Sequence, residues 1–131
     1  MLKLVINRKQ WLHGTKYAGV AGVNASLLHT SWLRASSDKK QCCLGFLARA
    51  EGFLANEIEE KVSPQDLDSF LVLKSKYLSK LVDTNGYKET TDNLLCEKLM
   101  QTNDKPGVKL SVREGRIKKL MREIGVAVKF V

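Results

Sequence analysis

Two histidines and three cysteines are the imidazole and thiol ligands that this chain of 131 residues offers a zinc-like metal. Neither type is spaced for one. There is no Cys-x-x-Cys, and His13 and His29 stand in segments without a second ligand at zinc spacing. Cys42 and Cys43 are neighbours, a placement that strains a disulfide between them, and Cys96 makes the count odd. Reduced, partly buried thiols are the expected state. Long hydrophobic runs are missing too. No stretch approaches the roughly 20 apolar residues that span a bilayer. Met1 to Leu12 carries charges inside its apolar run and has no signal-peptide cleavage pattern. These absences point to a cytoplasmic protein with no membrane partner and no cofactor.

Motifs of common chemistry are absent as well. Gly19-Val20-Ala21-Gly22 is no phosphate-binding fingerprint, because no strand feeds it and no long helix follows directly. Glu57, Glu59, Glu60, Asp66 and Asp68 lack the Asp/Asn/Gly spacing of a calcium loop. Nothing matches a helix-turn-helix, a zinc finger or an RNA-recognition signature. No long internal repeat is visible.

What is present is an ordinary globular composition, 44% apolar and 27% charged. A chain of this size buries roughly two-thirds of its unfolded surface, so one domain over residues 1–131 can form its own core. The net charge of +8 is unevenly spread. Residues 1–50 carry a net +7, residues 51–104 a net −5 and residues 105–131 a net +6. Basic ends that meet in space would make one basic face.

The pattern along the chain predicts an α+β fold. It is a mainly helical single domain, with a small sheet formed by the N- and C-terminal strands. Leu2, Leu4 and Ile6 alternate on one face of a first strand. Asn7 is a helix cap, with about one and a half turns from Arg8 to His13, and Trp11 and Leu12 anchor the turn in the core. Gly14 to Asn24 reads as a loop. Ala25 to Trp32 is ambiguous between strand and helical turn, and Ser36-Ser37-Asp38 as a turn. A helix is expected from about Lys40 or Gln41 to Glu51, with Cys43, Phe46, Leu47 and Ala50 on its buried side and Gly52 as its stop. Gly45 weakens that helix by about 1 kcal/mol relative to alanine, a cost that close approach of another backbone would explain.

Asn56 to Lys61 is a further helical turn, and Ser63-Pro64 starts another, with proline at the first helical position. Leu67, Phe70, Leu71, Leu73, Tyr77, Leu78 and Leu81 carry a broken helical period. Asp83 to Gly86 is a turn. A helix from Asp92 to about Thr102, capped by Thr91, turns Leu95, Leu99 and Thr102 inward, flanked by Cys96. Lys105-Pro106-Gly107 breaks it. Ser111-Val112-Arg113-Glu114 matches a capping box for the last helix, whose stripe is Ile117, Leu120, Met121 and Ile124. Gly125 stops it, and Val126, Val128 and Phe130 share one face of the final strand.

Two readings of function come from these residues. A cysteine at a helix N-terminus can become a nucleophile, and Cys43-Leu44-Gly45-Phe46 resembles the Cys-x-Gly-aromatic start of papain-like cell-wall amidases. Those enzymes place a histidine after the helix, whereas His13 and His29 precede it. Cys43 is therefore read as core, and the chain as no enzyme. The second reading is a basic row, Arg113, Arg116, Lys119 and Arg122 with Lys118, on the outer side of the last helix. Lys3, Arg8 and Lys9 lie nearby if the terminal strands pair. Such a row suits an acidic protein surface or phosphates. Trp32, beside Arg34, is a candidate partner anchor, since tryptophan is enriched at binding hot spots.

The two ends of the chain also resemble a group of small phage and prophage proteins, a likeness that does not extend to about residues 55–90. The resemblance rests on Ile6-x-Arg8-x-x-Trp11-Leu12-x-Gly14, Ser26-x-Leu28, Cys42-Cys43-Leu44-Gly45-Phe46, and an ending of Asn103-Asp104, a capped helix from Ser111 and Ile124-Gly125-Val126-x-Val128-x-Phe130-Val131. Gly115 and the basic helix depart from the acidic, alanine-rich version usual there. The group carries no activity to transfer. It implies a mobile-element accessory protein that acts by binding a host protein or protein–nucleic-acid complex, an anti-defence inhibitor of the anti-CRISPR kind included. Nucleic-acid binding through the last helix is the first alternative, and thiol catalysis at Cys43 the second.

Overall fold

A computed structural model gives the structure, which describes residues 1–13, 33–36, 38–61, 63–82 and 91–131, with backbone alone over 91–94. Trp32, the loop expected over 14–24, the segment 25–32 and the turn at 83–86 lie outside the described residues.

The two ends of the chain form the sheet. Strand β1 (Leu2–Ile6) pairs in parallel with β2 (Val126–Phe130), Leu2 opposite Val126 and Ile6 opposite Phe130. Side chains alternate across a strand, so Leu4, Ile6, Val126 and Phe130 fall on one face, and all four are buried. Lys3, Val5 and Lys129 leave from the other face and are exposed. Parallel sheets are normally covered on both faces, and among the described residues elements pack on one face of this sheet.

Five α-helices among the described residues supply much of the rest of the core: α1 (Cys43–Ala50), α2 (Ala55–Ile58), α3 (Ser69–Lys74), α4 (Thr91–Asp104) and α5 (Leu110–Arg122), with Trp11, Leu33, Phe53, Leu78 and Leu81 added from the segments between. Helix α1 packs on β1, α5 packs on β2, and α4 touches both helices. The terminal sheet and mainly helical α+β class are as the sequence predicts.

Helix α1 starts later than expected. Gln41 is taken by a strand-like bridge to the first segment: it donates its N–H to Gln10 O at 2.9 Å and accepts from Leu12 N at 2.7 Å. The buried face of α1 is also rotated from the expected stripe. Cys43, Leu44, Leu47 and Ala48 are buried, while Phe46 is half-buried and Ala50 exposed. The close approach expected at Gly45 is present. A Cβ there would lie 1.9 Å from Leu33 O and 2.8 Å from Leu33 C. Gly52 ends α1 with φ +100°, a left-handed turn that glycine permits.

A buried amide ties the elements together. Asn103, 1% exposed in the last turn of α4, accepts from Trp11 Nε1 at 2.8 Å and from Cys43 N at 3.1 Å. Its Nδ2 donates to Leu12 O and to Asp104 Oδ1, both at 2.9 Å. Cys43 N–H is one of the orphan donors at the start of α1, so α4 supplies the cap that Cys42 does not. Every hydrogen-bonding site of this amide oxygen and nitrogen is used in a buried setting, where an unmade bond is expensive.

Two expectations are corrected, and the broken period over residues 67–81 is resolved. The Ser111-x-x-Glu114 capping box does not form. Helix α5 begins at Leu110 with Lys109 as its cap residue, and no side chain caps it. Glu114 is spent on Arg8 instead. The turn after Asn7 is shorter than expected, a 3-10 helix over Arg8–Gln10 capped by Asn7. Phe70, Leu71 and Leu73 do not all face the core: α3 buries Val72 and leaves Phe70 63% and Leu73 55% exposed.

Candidate binding face on the last helix

Helix α5 is anchored through three kinds of contact. Ile117 and Met121 are fully buried, with Ile124 just beyond them, which fixes the inward side. Arg8 reaches across from the first segment and holds Glu114 by two bonds, Nη2 to Oε1 at 2.6 Å and Nε to Oε2 at 2.9 Å. The Arg8 guanidinium holds the Glu114 carboxyl below its ordinary range, against the opposing effect of burial.

Arg113 makes the third contact. It is 3% exposed, so it does not stand in the outer basic row. Its Nη1 donates to Thr102 O at 3.0 Å and Asn103 O at 2.5 Å, and its Nη2 to Lys105 O at 2.6 Å. These are carbonyls at the C-terminal end of α4, where orphan acceptors and the negative end of the helix dipole favour a cation. The reason is rotational. A step of three residues turns 300°, so three steps from Arg113 to Arg122 bring the side chain half-way round the helix. Arg113 and Arg122 cannot share a face.

Arg116, Lys118, Lys119 and Arg122 are exposed, as expected of the row. None of the four enters an ion pair among the described residues. Lys118 Nζ stands 6.0 Å from the centre of the Phe130 ring, on the flank of α5 beside β2. Lys9 is exposed in the 3-10 turn that Arg8 fastens to α5. Lys3 is exposed on the open side of the sheet, while α5 packs against the buried side, so Lys3 does not join the row. Arg34 is half-buried and donates from Nη1 to Gln41 Oε1 at 3.1 Å, and its backbone bridges to Glu59. It is a packing residue of the α1–α2 side. The structure therefore gathers three of the nine candidate side chains, Arg116, Lys119 and Arg122, on one side of the helix, while Lys118, about 160° round from Arg116, lies on the flank next to Glu114.

The thiols stand in no such open position. Cys42, Cys43 and Cys96 are free and buried. Burial pushes Cys42 up to about 12 and Cys96 up to about 11, and carries Cys43 well above its ordinary value. A thiol in that state is a poor nucleophile. Among the described residues, no group of three or more His, Cys, Asp or Glu could hold a metal ion, and no helix is long and apolar enough to cross a membrane.

Sequence reasoning missed two surface features. One is the apolar side of α3, with Leu54 also 59% exposed. Beside it a shallow cavity of about 150 Å³ is lined by Gly52, Phe53, Leu71 and Lys74, with Glu51 and Ser75. That is below the volume of ordinary small-molecule sites. The other is Val112, 40% exposed on α5 and next to the basic residues, which the capping-box reading had passed over as a spacer.

No family model matches this chain, and neither a curated protein nor a solved structure is found to resemble it.

Proposed function

We propose that this chain is a non-catalytic accessory protein of phage type that docks the basic face of α5 on an acidic surface of a host protein, in the manner of an anti-defence inhibitor. The observation that carries the reading is the set Arg116, Lys119 and Arg122. They are exposed and without ion pairs among the described residues, on a helix whose opposite side is fixed by Arg113, Glu114, Ile117 and Met121. Cations left unneutralised on a rigid element favour encounter with an acidic surface and fix its register. The deeply buried thiols speak against catalysis at Cys43. The phage setting rests on the resemblance of the two ends of the chain, and implies action in the host cytoplasm.

Nucleic acid is the second reading, favoured by the net charge of +8 and the sequence pI of about 9.5. One experiment separates the two. Protein immobilised on a resin is exposed to bacterial lysate with and without nuclease. The same is done with an Arg116→Glu/Lys119→Glu/Arg122→Glu variant. A discrete protein retained after nuclease and lost in the variant supports the first reading. Retention that vanishes with nuclease, and falls steeply with salt, supports the second. Retention unchanged in the variant defeats both.

A further inference from the structure

Two described glycines lie inside helices, and their surroundings differ. Gly45 is required by the fold, since a Cβ would run into the Leu33 backbone. Gly115 is not. A Cβ there would meet nothing within 4 Å, its φ is not left-handed, and the residue is exposed. Glycine inside a helix is unfavourable relative to alanine, because it loses more backbone freedom on folding. Among the described residues nothing offsets that loss at Gly115.

Its neighbours suggest what does. At 100° per residue, Val112, Gly115, Arg116, Lys119 and Arg122 lie on the side of α5 opposite Ile117 and Met121. Val112 is 40% exposed, and the three basic residues are exposed too. The missing side chain leaves a notch on this face, with an apolar wall at Val112 and cations at Arg116 and Lys119. A surface of that shape admits another backbone close to the helix axis.

We infer that Gly115 is the contact point for an acidic helix of a partner protein, whose backbone enters the notch while its carboxylates meet Arg116, Lys119 and Arg122. The inference rests on the reading of α5 as the binding face. Charge complementarity sets the sign of the partner. Phosphates are reached by the tips of long basic side chains and have no use for a notch in the helix or for an exposed valine. A packed helix uses both, because ridges on one helix seat in grooves of the other.

The test uses a fluorescein-labelled helical peptide of glutamate and alanine, and a duplex DNA of the same charge. Wild type, Gly115→Ala, Gly115→Leu and the triple charge-reversal variant are compared by fluorescence anisotropy, with melting temperatures measured alongside. Gly115→Ala is expected to melt about 3–5 °C higher than wild type, because alanine suits the helix and clashes with nothing. Its peptide affinity falls several-fold, and that of Gly115→Leu about tenfold or more. Gain of stability with loss of binding is the signature of a glycine kept for a partner.

Peptide binding unchanged in Gly115→Leu, yet abolished by charge reversal, overturns the inference and leaves the α5 reading standing. Charge reversal without effect overturns the α5 reading itself. Binding of the duplex in preference to the peptide, insensitive to Gly115→Leu, overturns the protein partner. A self-association in sedimentation that Gly115→Leu removes makes a second copy the occupant and overturns the acidic partner. Failure of wild type to bind the peptide at concentrations on the order of 1 mM also overturns it.

Discussion

Gly45→Ala is expected to destabilise the protein, although the same change in an open helix would stabilise it by about 1 kcal/mol. The added methyl would sit 1.9 Å from Leu33 O, 2.8 Å from Leu33 C and 3.1 Å from Gln41 Cβ. An ordinary contact needs well over an ångström more, so either α1 or the Leu33 segment must move. Neither is free. Leu33 is fully buried and donates its N–H to Lys61 O at 2.7 Å, and the next residue, Arg34, bridges to Glu59. Helix α1 is held by its Cys43 N–H bond to Asn103. Overpacking costs typically 1–3 kcal/mol, and a clash against backbone belongs at or above the upper end. Subtracting the propensity gain leaves a net loss of about 2 kcal/mol. With a urea slope of about 1.5 kcal/mol/M, the unfolding midpoint falls by about 1.3 M at unchanged slope. Urea titrations of the two proteins by far-UV circular dichroism measure this directly. A midpoint equal to or above wild type refutes the contact between α1 and Leu33, and with it the placement of the helix.

Asn103→Leu is expected to cost about 3 kcal/mol or more, because Trp11 Nε1–H and Cys43 N–H are left buried without acceptors. A urea-derived loss under about 1 kcal/mol would show that the amide is not the junction described. All three thiols are expected to resist Ellman's reagent near pH 8 in native protein and to react together in guanidinium chloride. A fast-reacting native thiol would contradict the raised values at Cys42, Cys43 and Cys96. The Arg8–Glu114 pair gives a signed pH effect. The folded pKa of Glu114 lies below its ordinary 4.5, so the stabilisation is present above that value and fades as pH falls through the lowered folded pKa. Arg8→Leu should therefore flatten the fall of stability with acid below about pH 4.5. An identical acid limb in both proteins counts against the pair.

Local signals with a strict geometric meaning were legible from sequence. The helix–Gly125–strand ending, the alternation in both terminal strands and the Gly45 approach follow from period, chirality and volume. Signals that depend on a competing partner were not. Ser111 and Glu114 have capping-box spacing, but a carboxylate can bond a local N–H or a distant guanidinium, and Arg8 arrives from 106 positions away. Arg113 looked like one of a surface row because its spacing was read as a list rather than as rotation. Phe70 and Leu73 belong to a broken helical period that marks no inward side, and a six-residue helix between Asp68 and Ser75 buries Val72 instead. The candidate face was half legible: its charge was visible and its notch at Gly115 was not, since a glycine's purpose depends on what stands beside it.

The parallel pairing of the terminal strands has a consequence in time. Val126, the strand neighbour of Leu2, is made 124 residues after it. At synthesis rates of about 5–20 residues per second, β1 waits roughly 6–25 s before its partner exists. Throughout that interval Leu2, Leu4 and Ile6 form an apolar strand with a free edge, a form that other nascent chains can pair with. Lys3 sits in the middle of that segment, and Lys129 near the end of the other. A charge inside an apolar strand discourages stacking with copies of itself. Lys3, exposed on the sheet in the folded protein, places such a charge in β1 during the seconds before its partner strand exists.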